Sequence, residues 1–196
     1  QINFYEVPYL AGFPQSGILQ FYIADNGHYG ANFDNSASQN GFRVLYFPEI
    51  LEREEYLVTD YSFLPKPDSL PLGRTACSLK FESVSAPVGI ADYEFEKLLG
   101  ADFFEQFGDL EEDIEDEYAE KFAAAGHKMG GYAFFTQNDP RDSIVDGEKY
   151  QLLLQMDTDD AVDIMWGDSG VGNFFILEED LRKLDFSRVL YNWDCY

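Results

Sequence analysis

The stretch that decides the fold lies near the end of the chain. Trp166-Gly167-Asp168-Ser169-Gly170 runs without a break into Val171-Gly172-Asn173-Phe174-Phe175-Ile176. Small and polar residues make a turn, and the apolar, aromatic and branched run behind them makes a strand. The same order occurs near the start, where Phe13-Pro14-Gln15-Ser16-Gly17 precedes Ile18-Leu19-Gln20-Phe21-Tyr22-Ile23. Laid over one another, Ser16-Gly17 falls on Ser169-Gly170, and Phe21-Tyr22-Ile23 falls on Phe174-Phe175-Ile176. Upstream, Gln1-Ile2-Asn3 falls on Gln155-Met156-Asp157; downstream, Arg43-Val44-Leu45-Tyr46 falls on Arg188-Val189-Leu190-Tyr191. Blocks that recur in one order point to an internal duplication. A pair of copies is too few for a solenoid, which needs at least about three. Two similar β-rich halves packed on each other are expected instead.

Outward from these anchors, residues 17–24, 42–47, 150–156 and 187–191 read as strands, with Pro48 stopping the second. Residues 56–59 read as a further strand. Residues 77–84 alternate at period two, which predicts a half-buried strand with Cys77, Leu79 and Phe81 on one face. Pro65, Pro67 and Pro71 mark an extended linker. In the middle of the chain, Asp92 is expected to cap a helix carrying Phe95, Leu98 and Leu99, which Gly100 ends. Asp109 is expected to cap a second helix, whose Leu110, Ile114, Tyr118 and Phe122 recur every four residues. Ala123-Ala124-Ala125 extends that helix to Gly126. Residues 178–184 predict a short helix with Leu181 and Leu184 turned inward. The fold class is therefore α+β, mostly antiparallel sheets with a few peripheral helices. One domain covers 1–196: a first half at about 1–90, a helical segment at 91–126, and a second half at 127–196.

The chain has 196 residues, 45% hydrophobic and 17% aromatic, enough for a substantial core. Its formal net charge is −24, from 37 acidic and 13 basic residues. That balance disfavours nucleic acid and anionic lipid as ligands and favours a basic partner. No run approaches the roughly 20 apolar residues of a membrane helix. Two cysteines, Cys77 and Cys195, give no disulfide framework and no metal-binding pair, and reduced thiols suit a cytoplasmic protein. His28 and His127 leave little material for a zinc site.

Several stretches together resemble the YwqG-like family of bacterial proteins, a domain of unknown function. They are Gly41-Phe42-Arg43-Val44, Gly130-Gly131, Tyr150-Gln151-Leu152-Leu153-Leu154-Gln155-Met156-Asp157, Met165-Trp166-Gly167-Asp168-Ser169-Gly170, Phe174-Phe175-Ile176 and Cys195-Tyr196. The resemblance covers essentially the whole chain and implies a mixed α/β fold with duplicated sheets. It brings no agreed activity and no catalytic residues. Family members usually carry a further N-terminal segment with its own Gly-Gly and a strand leading into the equivalent of Gln1, so the resemblance implies a longer natural protein. Genes of this type often lie beside toxin and immunity genes, which implies an immunity or antitoxin role.

Two sets of residues are candidates for function. Glu111, Glu112, Asp113, Glu115, Asp116 and Glu117 form the densest charge in the chain, opposite the apolar stripe of their helix. The helix dipole favours acidic residues in the first turn only. A solvated face explains the rest, and so does a docking face for a basic protein; Asp157, Asp159 and Asp160 are a second such group. The other set is Asp157, Trp166 and Asp168, placed to line a cleft between the halves. Asp157-Thr158-Asp159 starts like a calcium loop, but Asp160-Ala161 breaks the alternation. Gly130-Gly131 after Lys128 lacks any phosphate-loop spacing. Non-enzymatic protein binding by an acidic surface, with no cofactor or metal, is the expected function. The alternative is a small-molecule-binding or metal-dependent enzyme working in the cleft.

Overall fold

The computed structural model describes residues 1–51, 53–73, 75–143 and 148–196. It holds two three-stranded antiparallel sheets and few helices. The first sheet joins β1 (Ile2–Asn3), β2 (Ile18–Ile23) and β3 (Phe42–Phe47) in that order. The second joins β4 (Tyr150–Asp157), β5 (Val171–Leu177) and β6 (Leu190–Asp194). Ile2 faces Leu19 and Asn3 faces Ile18; in the second sheet Met156 faces Gly172 and Asp157 faces Val171. These are the pairs the sequence blocks place on one another. Between the other strands the registers differ by two residues. Ile18 faces Phe47, but Val171 faces Asp194, where the blocks place Asn192. A slip of two keeps every side chain on its own face.

The glycine shared by the two turns has a steric cause. A Cβ on Gly170 would lie 1.8 Å from the Asp194 carbonyl oxygen, and one on Gly17 would lie 2.5 Å from that of Phe47. In each sheet the chain enters the central strand pressed against the backbone that ends the third, and only glycine fits there.

The inner faces of the sheets share one core. Phe174 of β5 stacks on Tyr191 with centroids 4.5 Å apart and meets Phe21 at 5.0 Å and Phe42 at 6.1 Å. Leu19, Val44, Leu153, Ile176, Leu181 and Val189 fill in around it. A bulge between Leu152 and Leu154 lets Leu153 and Leu154 both reach this core. β5 is buried throughout, which explains why it reads as continuous rather than alternating.

The outer face of the second sheet is also covered. Leu152, Phe175 and Leu190 pack against Ala133 and Phe135. Residues 132–135 are apolar and aromatic, yet they form no strand, because side chains hold their backbone. Phe134 N–H donates to Gln155 Oε1 (2.7 Å), and Asn173 Nδ2 donates to the Phe134 carbonyl (2.8 Å). Thr136 N–H donates to Asp194 Oδ1 (3.1 Å), and Gln155 Nε2 donates to the carbonyls of Ala124 and Gly126. The buried polar residues of the sheet thus do what a strand ladder would do.

Helix α1 (Glu94–Leu99), helix α2 (Glu111–Lys121) and helix α3 (Glu178–Lys183) are short. Asp92 Oδ1 does accept the Glu94 N–H (3.0 Å), and Gly100 does end α1. Six expectations fail. Residues 77–84 are not a strand. Leu79 and Val84 are 52% and 77% exposed, so the alternation has no partner edge to pair with. Residues 56–59 form no strand either; a single 3₁₀ turn, Glu54–Tyr56, stands there. Asp109 caps nothing, because it lies in the 3₁₀ stretch Glu105–Leu110 that leads into α2. That helix stops at Lys121 rather than running on through Ala125, and Ala124 has a positive φ of 58°. Leu184 has the left-handed conformation that ends α3 and is 42% exposed, while Leu181 is buried. The last strand also begins at Leu190 rather than Ser187.

Candidate functional site

α2 lies on the surface by its narrow apolar stripe. Ile114 and Tyr118 pack on a cluster of Val88, Phe95, Phe103 and Phe104, and the Tyr118 hydroxyl donates to the Val88 carbonyl (2.8 Å). This fixes the opposite face outward. Glu112, Asp113, Glu115, Asp116 and Glu117 are exposed and Glu111 is half-buried. Among the described residues none of these six carboxylates has an ion pair. Gly108, Asp109, Glu111, Glu112 and Glu115 border an open hollow of about 370 Å³. Beside it Leu110 is 57% exposed and Phe107 is 37% exposed, so apolar surface adjoins the charge.

Asp157, Trp166 and Asp168 are not brought together by any hydrogen bond or ion pair among the described residues. Trp166 is buried in the shared core, edge-on to Tyr29 at 5.9 Å and near Trp193 at 6.4 Å. It lies so close over Gly172 that a Cβ there would sit 2.5 Å from Cζ2. Among the described residues its indole nitrogen has no hydrogen-bond partner. Asp157 spends both carboxylate oxygens on backbone: Oδ2 accepts from Gly126 N–H (2.6 Å) and Oδ1 from Thr158 N–H (2.8 Å). Asp168 is exposed, and its backbone carbonyl accepts from Tyr196 N–H (3.3 Å). Thr158 ties the turn instead. Its N–H and hydroxyl donate to the Gly170 carbonyl, and its Oγ1 accepts from Trp166 N–H. Around Trp166 the rings of Tyr29 and Trp193 pack together.

The carboxylates of residues 157–168 likewise go to local backbone. Asp159 Oδ1 accepts the Ala161 N–H, and Oδ2 lies 3.3 Å from His127 Nε2. Since His127 Nδ1 accepts the Asp157 N–H, Nε2 is the nitrogen that carries the proton toward Asp159. Among the described residues no group of three or more His, Cys, Asp or Glu is arranged to hold a metal ion.

The most highly charged buried place was not anticipated. Arg141 Nη2 contacts Asp92 Oδ2 (2.8 Å) and Asp139 Oδ2 (2.7 Å), and its Nε donates to Asp139 Oδ1 (2.9 Å). The guanidinium lies between the rings of Tyr93 and Phe175, at 4.2 and 4.3 Å from their centroids. Burial works against the Arg141 charge, but the bonds from Asp139 and the charge of Asp92 outweigh it and raise its pKa. Asp92 Oδ2 also accepts from Ala133 N–H, and Asp139 Oδ2 from Tyr93 N–H. Every oxygen that could meet a ligand here is already bonded to protein, so the cluster joins α1 to residues 133–141. The sequence shows Asp139 and Arg141 only as parts of a turn around Pro140; nothing in its spacing points to Asp92, nearly fifty residues earlier.

Lys128 was also missed as chemistry. Burial lowers its pKa to about 8, against the pull of Asp157 and Asp92. Its ammonium donates to the Ala124 carbonyl, which keeps the amine on the backbone.

Residues 1–195 match the model of a family described as a domain of unknown function, DUF1963, and the chain belongs to that family. No curated protein matches the chain.

Proposed function

We propose that this member of the DUF1963 family is a non-enzymatic protein-binding module whose docking site is the acidic face of α2. The observation that carries the reading is the set of carboxylates from Glu111 to Glu117, all exposed but the half-buried Glu111 and none with an ion pair among the described residues, with Leu110 and Phe107 exposed at its base. Carboxylates steer a basic partner and speed encounter, and the neighbouring apolar side chains anchor it. An immunity or antitoxin-type protein that covers a basic toxin is the most concrete form. Two free cysteines, Cys77 and Cys195, support a cytoplasmic setting. No helix among the described residues is long and apolar enough to cross a membrane.

We read the chain as YwqG-like on its Trp166-Gly167-Asp168-Ser169-Gly170 turn with Phe174-Phe175-Ile176 behind it, and as one domain built by duplication. The equivalent strand order, the matching pairs at Asn3 and Asp157, and the two tight glycines support descent from one half. The enzymatic alternative needs a cleft between the halves, and the buried Trp166 and the occupied Asp157 weigh against it.

The test reverses Glu112, Asp113, Asp116 and Glu117 to lysine. Partners captured from the protein's own cells at low and high salt are identified by mass spectrometry, and the best is purified. Binding that falls at least tenfold in the variant, and falls with salt for the wild type, is expected. Unchanged affinity for the isolated partner would sink the assignment.

A further inference from the structure

Two asparagine–glycine pairs occur in the chain, Asn26-Gly27 and Asn40-Gly41. In such a pair the glycine nitrogen can add to the asparagine side-chain carbon, because no Cβ hinders the approach. The five-membered imide that forms opens with water to aspartate or isoaspartate. The fold treats the two pairs differently.

Gly41 is held. Its carbonyl accepts the Ala24 N–H (2.8 Å), and a Cβ on it would lie 2.4 Å from the Gly30 carbonyl oxygen. The two glycine backbones are pressed together, so the peptide that must turn to close a ring at Asn40 has no room. Gly27 is the opposite case. It is exposed, and a Cβ there would meet nothing within 4 Å. Among the described residues its N–H has no hydrogen-bond partner, and neither has the Asn26 side-chain nitrogen.

The turn does more than leave room. Asn26 Oδ1 accepts the N–H of His28 and the N–H of Gly30, each at 3.0 Å. When the Gly27 nitrogen adds to Cγ, negative charge develops on that oxygen. Two backbone donors already aimed at it lower the barrier, as in an oxyanion hole. The nucleophile and the leaving amine are free, and the oxygen is held.

The same turn joins the two sheets. The Trp193 indole nitrogen donates to the His28 carbonyl (2.8 Å), and the Tyr191 hydroxyl donates to the Tyr29 carbonyl (3.1 Å). The Tyr29 ring lies 4.7 Å from that of Trp193 and 5.9 Å from that of Trp166. Residues 26–30 thus clip the end of β2 to β6.

We propose that Asn26 is a self-modification site, where the turn promotes attack by Gly27 and the resulting isoaspartate loosens the clip between the sheets. Water is the only other reagent. The bond from Gly27 N to Asn26 Cγ forms, the Cγ–Nδ2 bond breaks, and the Gly27 amide proton leaves with the amine as ammonia. Water adding at Cγ then gives aspartate. Water adding at the Asn26 main-chain carbonyl carbon gives isoaspartate, whose main chain runs through Cγ and is one methylene longer. The oxygen that held His28 and Gly30 becomes part of that main chain.

The test ages the whole chain in mildly alkaline buffer, native and in concentrated urea. Peptide masses and an isoaspartate-specific methyltransferase follow residues 26 and 40. In urea the two sites are expected to react within a few-fold of each other. In the native chain Asn26 is expected to react at least tenfold faster than Asn40, and Gly27→Ala to slow it at least tenfold. The isoaspartate form, separated by its added charge, is expected to unfold at a lower temperature than the fresh chain. Equal native rates at both sites, or an Asn26 that stays intact while the unfolded chain reacts, overturns the proposal. An isoaspartate form as heat-stable as the fresh chain overturns the part given to the clip.

Discussion

Replacing Arg141 by methionine removes the cation and keeps most of the apolar stem. The loss can be worked from its surroundings. Asp92 and Asp139 are 2% and 4% exposed, so neither can turn to water for compensation. Removing one partner of a buried ion pair typically costs about 3–5 kcal/mol, because a charge is left uncompensated. The lost contacts to the rings of Tyr93 and Phe175 add about 1 kcal/mol. Against a total stability of roughly 5–15 kcal/mol, the variant should lose about 5 kcal/mol. At a typical urea slope of about 2 kcal/mol per molar, that moves the unfolding midpoint down by about 2.5 M. Neutralising both partners as well, with Asp92→Asn and Asp139→Asn, should recover part of the loss. A shift worth less than about 1 kcal/mol at neutral pH would refute the reasoning, since an exposed pair costs that little.

Two further predictions follow from the turns and from α2. Gly170→Ala presses a Cβ to 1.8 Å of the Asp194 carbonyl, and Gly17→Ala adds the strain of a φ of +81° to a 2.5 Å approach. Each should cost about 1–3 kcal/mol, read as a fall in Tm by calorimetry, and a Tm unchanged in both would mean that the backbone gives freely there. In α2, the variant Glu115→Gln, Asp116→Asn, Glu117→Gln relieves the repulsions of Glu111 with Glu115, Glu112 with Asp116, Asp113 with Glu117 and Asp116 with Glu120, and loses the attraction of Glu117 for Lys121. At about 0.2–0.5 kcal/mol per pair, stability should rise by about 1 kcal/mol in low salt and the gain should fade in high salt.

The strands that face the shared core were legible because their residues obey local rules: a turn signal, a branched or aromatic run, then a stop. β2, β3, β4 and β5 fall where the sequence puts them. What was illegible depends on partners distant in sequence. Residues 77–84 alternate like a strand, but pairing needs a neighbouring edge, which no local pattern reveals. Residues 132–135 look apolar enough for a strand, but Gln155, Asn173 and Asp194 hold the backbone of this stretch and of Thr136 from the far side of a sheet. The surroundings of the cleft candidates were illegible for a similar reason. Trp166 and Asp157 are adjacent to a turn in sequence, and only the packing of Tyr29 and Trp193 shows what surrounds Trp166. The acidic helix was readable as charge, while its lack of ion pairs among the described residues was not.

That lack is the main argument for function. Helix α3 shows the contrasting arrangement. α3 sets Arg182 against Glu178 and Lys183 against Glu179, and Arg188 reaches both Glu179 and Asp180. The same economy in α2 would need only a lysine four residues after each glutamate. Instead the helix places carboxylate over carboxylate at that spacing and accepts about 1–2 kcal/mol of repulsion. Solubility does not require the arrangement, since charge spread over the surface would serve equally well. A local choice that opposes its own helix, beside exposed Phe107 and Leu110, is what a surface shaped for a basic partner would look like. If so, the stability gained by neutralising Glu115, Asp116 and Glu117 and the affinity lost should appear in one variant. A helix that gains stability and keeps its partner would mean that the charge has another cause.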